Sequence, residues 1–144
     1  MKVRNVAIAI FYDDDLNILI QERGNHSRLG EKYGFFGGRI REGEIPRQAM
    51  ERELLEELGY VPEKLDYWLE DSYTWEKEGK YKGWLIRCYV FLSPITPELE
   101  KSQVLEGEGA VKMSLERVLS EKGFPEGGTE FLKGLKARLG KQGE

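Results

Sequence analysis

The chain opens on an apolar run, Val6 to Tyr12, inside a segment from Val3 to Tyr12 that reads as a β-strand. Asp13, Asp14 and Asp15 turn the chain, and Asn17 to Arg23 resumes as a second strand. Residues 25–32 are polar and read as a loop, leading to a short strand at Gly34 to Phe36 and a glycine loop at Gly37 and Gly38. From Pro46 the period of the apolar positions lengthens to that of a helix. Met50, Leu54, Leu55 and Leu58 form a stripe suited to a core, Pro46 fits a first-turn position, and Gly59 is a natural C-terminal cap.

A long hairpin follows, with strands Lys64 to Glu76 and Tyr81 to Leu92 around a turn at Lys77 to Lys80. Pro94 and Pro97 open a polar connection that runs to Gly109, after which Ala110 to Met113 resumes a strand. Ser114 is placed to cap a helix from Leu115 to Glu121 that Gly123 ends, and Thr129 to cap another reaching Leu139. Strands interleaved with helices predict an α/β fold, a mixed sheet sandwiched between helices. With no repeat, low-complexity tract or linker, residues 1–144 read as one domain.

The candidate chemistry lies on the helix from Pro46. Glu53, Glu56 and Glu57 stand at i, i+3 and i+4, which puts three carboxylates on one face within a turn. At roughly 6 Å apart each pair repels by about 0.7 kcal/mol in bulk water and about 3 kcal/mol at an effective dielectric of ~20. An exposed acidic face tolerates that repulsion, whereas a walled-in one needs compensation. Arg52 reaches one of the three through an i to i+4 pair with Glu56, so hard oxygen ligands on a rigid helix point to Mg²⁺ or Mn²⁺ for the rest. The preceding glycines allow close backbone approach, which lets the Gly38 carbonyl turn toward a cation and amides such as that of Gly37 toward an anion.

Gly38, Glu44, Arg52, Glu53, Leu54, Glu56, Glu57 and Gly59 match G-x5-E-x7-R-E-U-x-E-E-x-G-U, the signature of the Nudix hydrolases, U being a bulky aliphatic residue. The chain resembles that family, with aromatic Tyr60 the one departure. The resemblance implies a Nudix-type α/β/α sandwich. It also implies metal ligation by Glu53, Glu56, Glu57 and the Gly38 carbonyl, Arg52 orienting a metal-binding glutamate, and Glu44 as a supporting carboxylate at the helix start. It implies hydrolysis of nucleoside diphosphates linked to another group, with a glutamate of the helix or of a later loop as base. Glu106, in the loop Leu105 to Gly109, is the expected extra ligand and later-loop catalytic glutamate, with Glu108 second.

Arg23 can grip a substrate phosphate as a bidentate fork or pair with Glu22 or Glu31; Arg28 and Arg39 are weaker candidates. Phe35 and Trp75 are the expected base-stacking residues among aromatics that otherwise suit sheet packing. The catalytic set is therefore Glu53, Arg52, Glu56 and Glu106, and the substrate-binding set Arg23, Phe35, Gly37, Arg39 and Trp75. His26, the one histidine, reads as a surface residue.

A net charge of −4 argues against binding a nucleic-acid backbone and for a small nucleotide met by local cations. No stretch approaches the ~18 apolar residues of a membrane span. The lone Cys88 has no internal disulfide partner, so a cytoplasmic setting is expected; monomer and homodimer both stay open. The leading substrate by resemblance to small MutT-like members is a nucleoside triphosphate, with an oxidised purine as one form. Dinucleoside polyphosphates, nucleotide sugars such as ADP-ribose, and a non-catalytic nucleotide sensor are the alternatives.

Overall fold

The computed structural model describes residues 2–23, 31–101 and 109–142. Its centre is β1 (Val3–Tyr12), whose buried stretch Ala7 to Phe11 sends alternate side chains to opposite faces. β2 (Asn17–Glu22) and β4 (Phe36–Arg39) run antiparallel to it, and β6 (Leu85–Pro94) runs parallel along its whole length. β3 (Tyr33–Gly34) and β7 (Gly109–Ser114) pair with β2, and β5 (Asp66–Thr74) closes the far edge against β6. The sheet is mixed and seven-stranded, in the order β3-β2-β1-β6-β5 with β4 and β7 added on β1 and β2.

α1 (Pro46–Leu58) covers one face of the sheet, where Met50 and Leu54 pack with Ala7, Ala9, Phe36 and Phe91. α3 (Leu115–Ser120), a 3₁₀ turn (Glu130–Gly134) and α4 (Leu135–Gln142) cover the other face, on which Ile8, Ile10, Ile18 and Ile20 meet Val118, Leu132 and Leu135. The expected α/β/α sandwich around a mixed sheet is the observed architecture.

The helix carrying the acids is as the sequence predicts. Pro46 stands in its first turn, and Gly59, at φ 84°, returns its N–H to the Leu55 carbonyl. One member of the expected stripe is misplaced, because Leu55 is 52 % exposed. At about 100° per residue it lies about 140° from Met50, outside the buried arc that Leu54 and Leu58 occupy. Leu54→Ala is therefore expected to cost about 2–5 kcal/mol of stability. Leu55→Ala should stay within about 0.5 kcal/mol, as urea denaturation would show.

Other boundaries move for local reasons. The glycine pair expected as a loop is strand: Gly37 and Gly38 sit in β4 opposite Ile8 and Ala7. The strand expected from Tyr81 begins at Leu85, because residues 81–84 close the connection through Gly83 N–H to the Trp75 carbonyl and Trp84 N–H to the Tyr81 carbonyl. The polar connection after Pro94 contains a short helix, α2 (Pro97–Lys101), capped where Thr96 Oγ1 accepts from Leu99 N–H. Ser114 caps α3 as expected, its hydroxyl accepting from Arg117 N–H, and Glu121 rather than Gly123 ends that helix. Thr129 makes no side-chain cap; the last helical segment starts as a 3₁₀ turn and becomes α-helical only at Leu135.

Candidate active site

The three glutamates of α1 occupy three different environments. Measured from Met50 at about 100° per residue, Glu57 lies about 20° away, Glu53 about 60° and Glu56 about 120°. Glu57 thus falls inside the buried stripe and is 1 % exposed, Glu53 sits on its border, and Glu56 opens to solvent. The buried carboxylate of Glu57 accepts from Gly37 N–H at 2.7 Å and from the Gln21 amide at 3.3 Å, which bolts the helix to β4 and β2. Gln21 and this tie were not legible in the sequence, since nothing in the signature spacing separates a buried glutamate from an exposed one.

Arg52 does more than the expected single pairing. Its Nε and Nη2 donate to the two Glu44 carboxylate oxygens at 2.8 and 3.0 Å, Nη1 to Glu53 at 2.8 Å and to Glu56 at 3.5 Å, and Nη2 to the Arg39 carbonyl at 2.9 Å. The guanidinium so joins the helix start, its acidic border and the end of β4. Glu44, bonded by Arg52 and by Arg41 N–H, is held well below its ordinary 4.5, at about 2, while the same bond raises Arg52. Because the folded value lies below the unfolded one, the stabilisation is complete above about pH 4.5 and is lost as pH falls toward about 2. Glu44→Gln should flatten that part of the stability profile, so the melting-temperature difference between wild type and variant should shrink from pH 6 to pH 3.

Gly38 lies directly against this cluster. A Cβ there would stand 2.6 Å from the Glu53 carboxylate, so the bare backbone makes room for the acid beside the Gly38 carbonyl. The donors gathered here are all hard oxygens, the set that suits Mg²⁺ or Mn²⁺. Glu44, Glu53 and Glu56 share one guanidinium, with Arg41 a further 4.0 Å from Glu56, which leaves a negative surplus for a divalent cation to offset. As the side chains lie, Arg52 holds the Glu53 oxygen, and among the described residues no group of three His, Cys, Asp or Glu is arranged to hold an ion.

On the opposite face of the sheet, Gly37 and Gly38 also border a cleft of about 190 Å³, whose walls include Arg4, Arg23, Phe35, Tyr73 and Trp75. Arg23 lies flat on Gly34, where a Cβ would stand 2.2 Å from its Nε, and donates from Nη2 to the Phe35 carbonyl at 3.3 Å. Phe35 is buried with its ring stacked on Phe124 at 5.3 Å, so it forms wall rather than a free platform. Trp75 is buried in the same wall. Arg39 is exposed at the end of β4 and contributes its carbonyl to Arg52. Cys88 lines the cleft floor, and burial pushes its thiol up to about 12, so it stays protonated and un-nucleophilic at neutral pH. Arg4 and Tyr73 are pocket residues that strand alternation alone did not single out. His26, Arg28, Glu106 and Glu108 lie outside the described residues.

Among the described residues no helix is long and apolar enough to cross a membrane. Residues 1–134 match the NUDIX domain. An 8-oxo-dGTP diphosphatase of Escherichia coli (strain K12) is 33 % identical over an alignment covering 59 % of this chain and 81 % of that one. A MutT protein from Methanosarcina mazei Go1 superposes with a TM-score of 0.73 at 18 % identity, over 95 % of both chains. A C. elegans Ap4A hydrolase does so with a TM-score of 0.69 at 19 % identity, over 96 % of this chain and 98 % of that one. At such identities the two structures speak for the fold alone. The domain match, the related sequence and the acidic helix set against a bare glycine strand agree, and the chain belongs to the Nudix family of hydrolases.

Proposed function

We propose that this Nudix hydrolase is a Mg²⁺-dependent pyrophosphohydrolase of nucleoside triphosphates, with oxidised purine deoxynucleotides among its substrates. The observation that carries the reading is the position of Gly38, which touches the Glu53 carboxylate on one side and borders the aromatic cleft on the other. A nucleoside held in the cleft thereby brings its phosphates to the acidic cluster. The related Escherichia coli sequence, an 8-oxo-dGTP diphosphatase, supports the substrate class.

A bound Mg²⁺ supplies charge neutralisation on the phosphate oxygens and lowers the barrier for attack by water. Glu53, Glu56, Glu57 and the Gly38 carbonyl are the groups that would hold it, with Glu106 as the added acid from the loop. The protein's own part is positioning and proton transfer. Arg52 fixes the Glu53 carboxylate at 2.8 Å, so an acceptor for the proton of the attacking water is oriented before substrate arrives. Glu57, anchored by Gly37 N–H, holds the helix at a set distance from β4. Arg23, braced by the Phe35 carbonyl, offers cationic donors to phosphate, and Trp75 walls the base.

The test is a panel of nucleoside triphosphates, 8-oxo-dGTP, dinucleoside polyphosphates and ADP-ribose, assayed with and without Mg²⁺ and resolved by chromatography. The reading expects monophosphate and pyrophosphate from triphosphates only when metal is present. Turnover confined to dinucleoside polyphosphates or ADP-ribose would move the substrate, and binding without turnover on any compound would indicate a sensor.

A further inference from the structure

We propose that Arg4 reads the base in this cleft, donating to the carbonyl oxygen of a 6-oxopurine and so selecting guanine-type bases over adenine. The inference rests on the nucleoside-triphosphate reading above and adds the group that would choose among such substrates. Arg4, the second residue of β1, shares a face with Val6 and Ile8, and all three line the cleft. Gly38 pairs with Ala7, three residues farther along the strand. At about 3.3 Å per residue, Arg4 stands about 10 Å from the glycine that meets the acidic cluster. That separation suits a purine nucleoside with its phosphates at Gly38 and its base at Arg4.

The guanidinium is held in place by a neutral group. Its Nη1 donates to the Tyr81 hydroxyl at 3.1 Å, and its central carbon lies 4.8 Å from the Tyr81 ring centroid. Tyr81 is itself set edge-on against Trp84 at 4.9 Å. A phenol and a ring restrict the arginine without neutralising it, and guanidinium donors remain for a ligand. Nearby, burial raises the Tyr73 phenol and the Cys88 thiol well above their ordinary values, so both stay protonated and add donors to the same walls.

An arginine offers only donors. Guanine, hypoxanthine and 8-oxoguanine all carry an acceptor oxygen at position 6, whereas adenine presents an amino group there, donor against donor. A matched arginine–purine contact discriminates by about tenfold or more against the mismatched base. Tyr81 acts as a positioning residue through Arg4, since it meets the base only by way of the guanidinium it holds.

Calorimetric titration of wild type, Arg4→Leu and Tyr81→Phe with dGMP, dIMP and dAMP tests this directly, with turnover of dGTP, dITP and dATP read in parallel. Wild type should bind dGMP and dIMP at least about tenfold more tightly than dAMP. Arg4→Leu should bring the three affinities close together by weakening the 6-oxopurines, and Tyr81→Phe, which preserves the ring and the fold, should lose part of the preference. Equal affinities in wild type, no binding of any of the three, or a preference that survives Arg4→Leu would overturn the assignment. Absent turnover with the base preference intact would overturn the pyrophosphohydrolase reading and leave Arg4 in its role.

Discussion

Glu53→Gln is expected to lower metal-dependent turnover by about 10²–10⁴-fold while leaving the melting temperature within a few degrees of wild type. The substitution keeps the shape of the side chain, so the space over Gly38 stays filled, and Arg52 retains its two bonds to Glu44. What is lost is the negative charge. A neutral amide is a poor ligand for a hard cation and cannot take a proton from water, so the loss should fall on kcat. Steady-state kinetics at saturating Mg²⁺, with a circular-dichroism melt of the same preparation, checks both halves. Glu51→Gln, on the same helix but half exposed and paired with Arg47, should be indistinguishable from wild type.

Gly37→Ala is expected to destabilise the fold by about 3 kcal/mol or more, a fall of about 10 °C in melting temperature. Gly37 has φ 136°, which L side chains rarely adopt, and a Cβ there would stand 2.0 Å from the Ala7 carbonyl oxygen and 2.9 Å from Ile8 Cα. Both are backbone atoms of the central strand, so relief requires breaking the β1–β4 ladder. The same movement takes Gly37 N–H from the buried Glu57 carboxylate, leaving a charge with one fewer donor. Gly38→Ala should behave differently, because its Cβ would meet the end of the Glu53 side chain. That carboxylate can swing away, so the expected result is a near-normal melt with turnover lost. Thermal melts of the two alanine variants side by side separate the scaffold glycine from the site glycine.

That contrast bears on what the sequence makes legible. The helix from Pro46 to Gly59 is readable because its stop signals and apolar period are local, and the acid spacing points to metal chemistry for the same reason. The division of labour among the acids is not local. Glu57 differs from Glu56 only in facing Gln21 and Gly37, which come from strands distant in sequence. Likewise Arg52 finds Glu44 and the Arg39 carbonyl only once β4 and the helix start are folded together, so counting i to i+4 partners undervalues it. Gly37 and Gly38 read as loop because glycine is a poor strand former, yet their lack of side chains is what lets β4 lie against β1 and leave space for Glu53. The cleft is assembled from β1, β3, β4, β5 and β6, and alternation along one strand gives no sign of which inward residues a ligand would meet. Arg4 carries no local signal of its place in the cleft for that reason, and the ring of Phe35, expected to stack on a base, is stacked on Phe124 instead.

On the proposed function, the acidic border of α1 and the Gly38 carbonyl together take a divalent cation. The most direct test is a Mn²⁺ titration of wild type and Glu53→Gln, followed by electron paramagnetic resonance of the free ion. Wild type should take up the ion saturably, with a melting temperature that rises as the site fills, and the variant should lose most of that uptake. No uptake by wild type at millimolar Mn²⁺, or equal uptake by both proteins, would contradict the proposal.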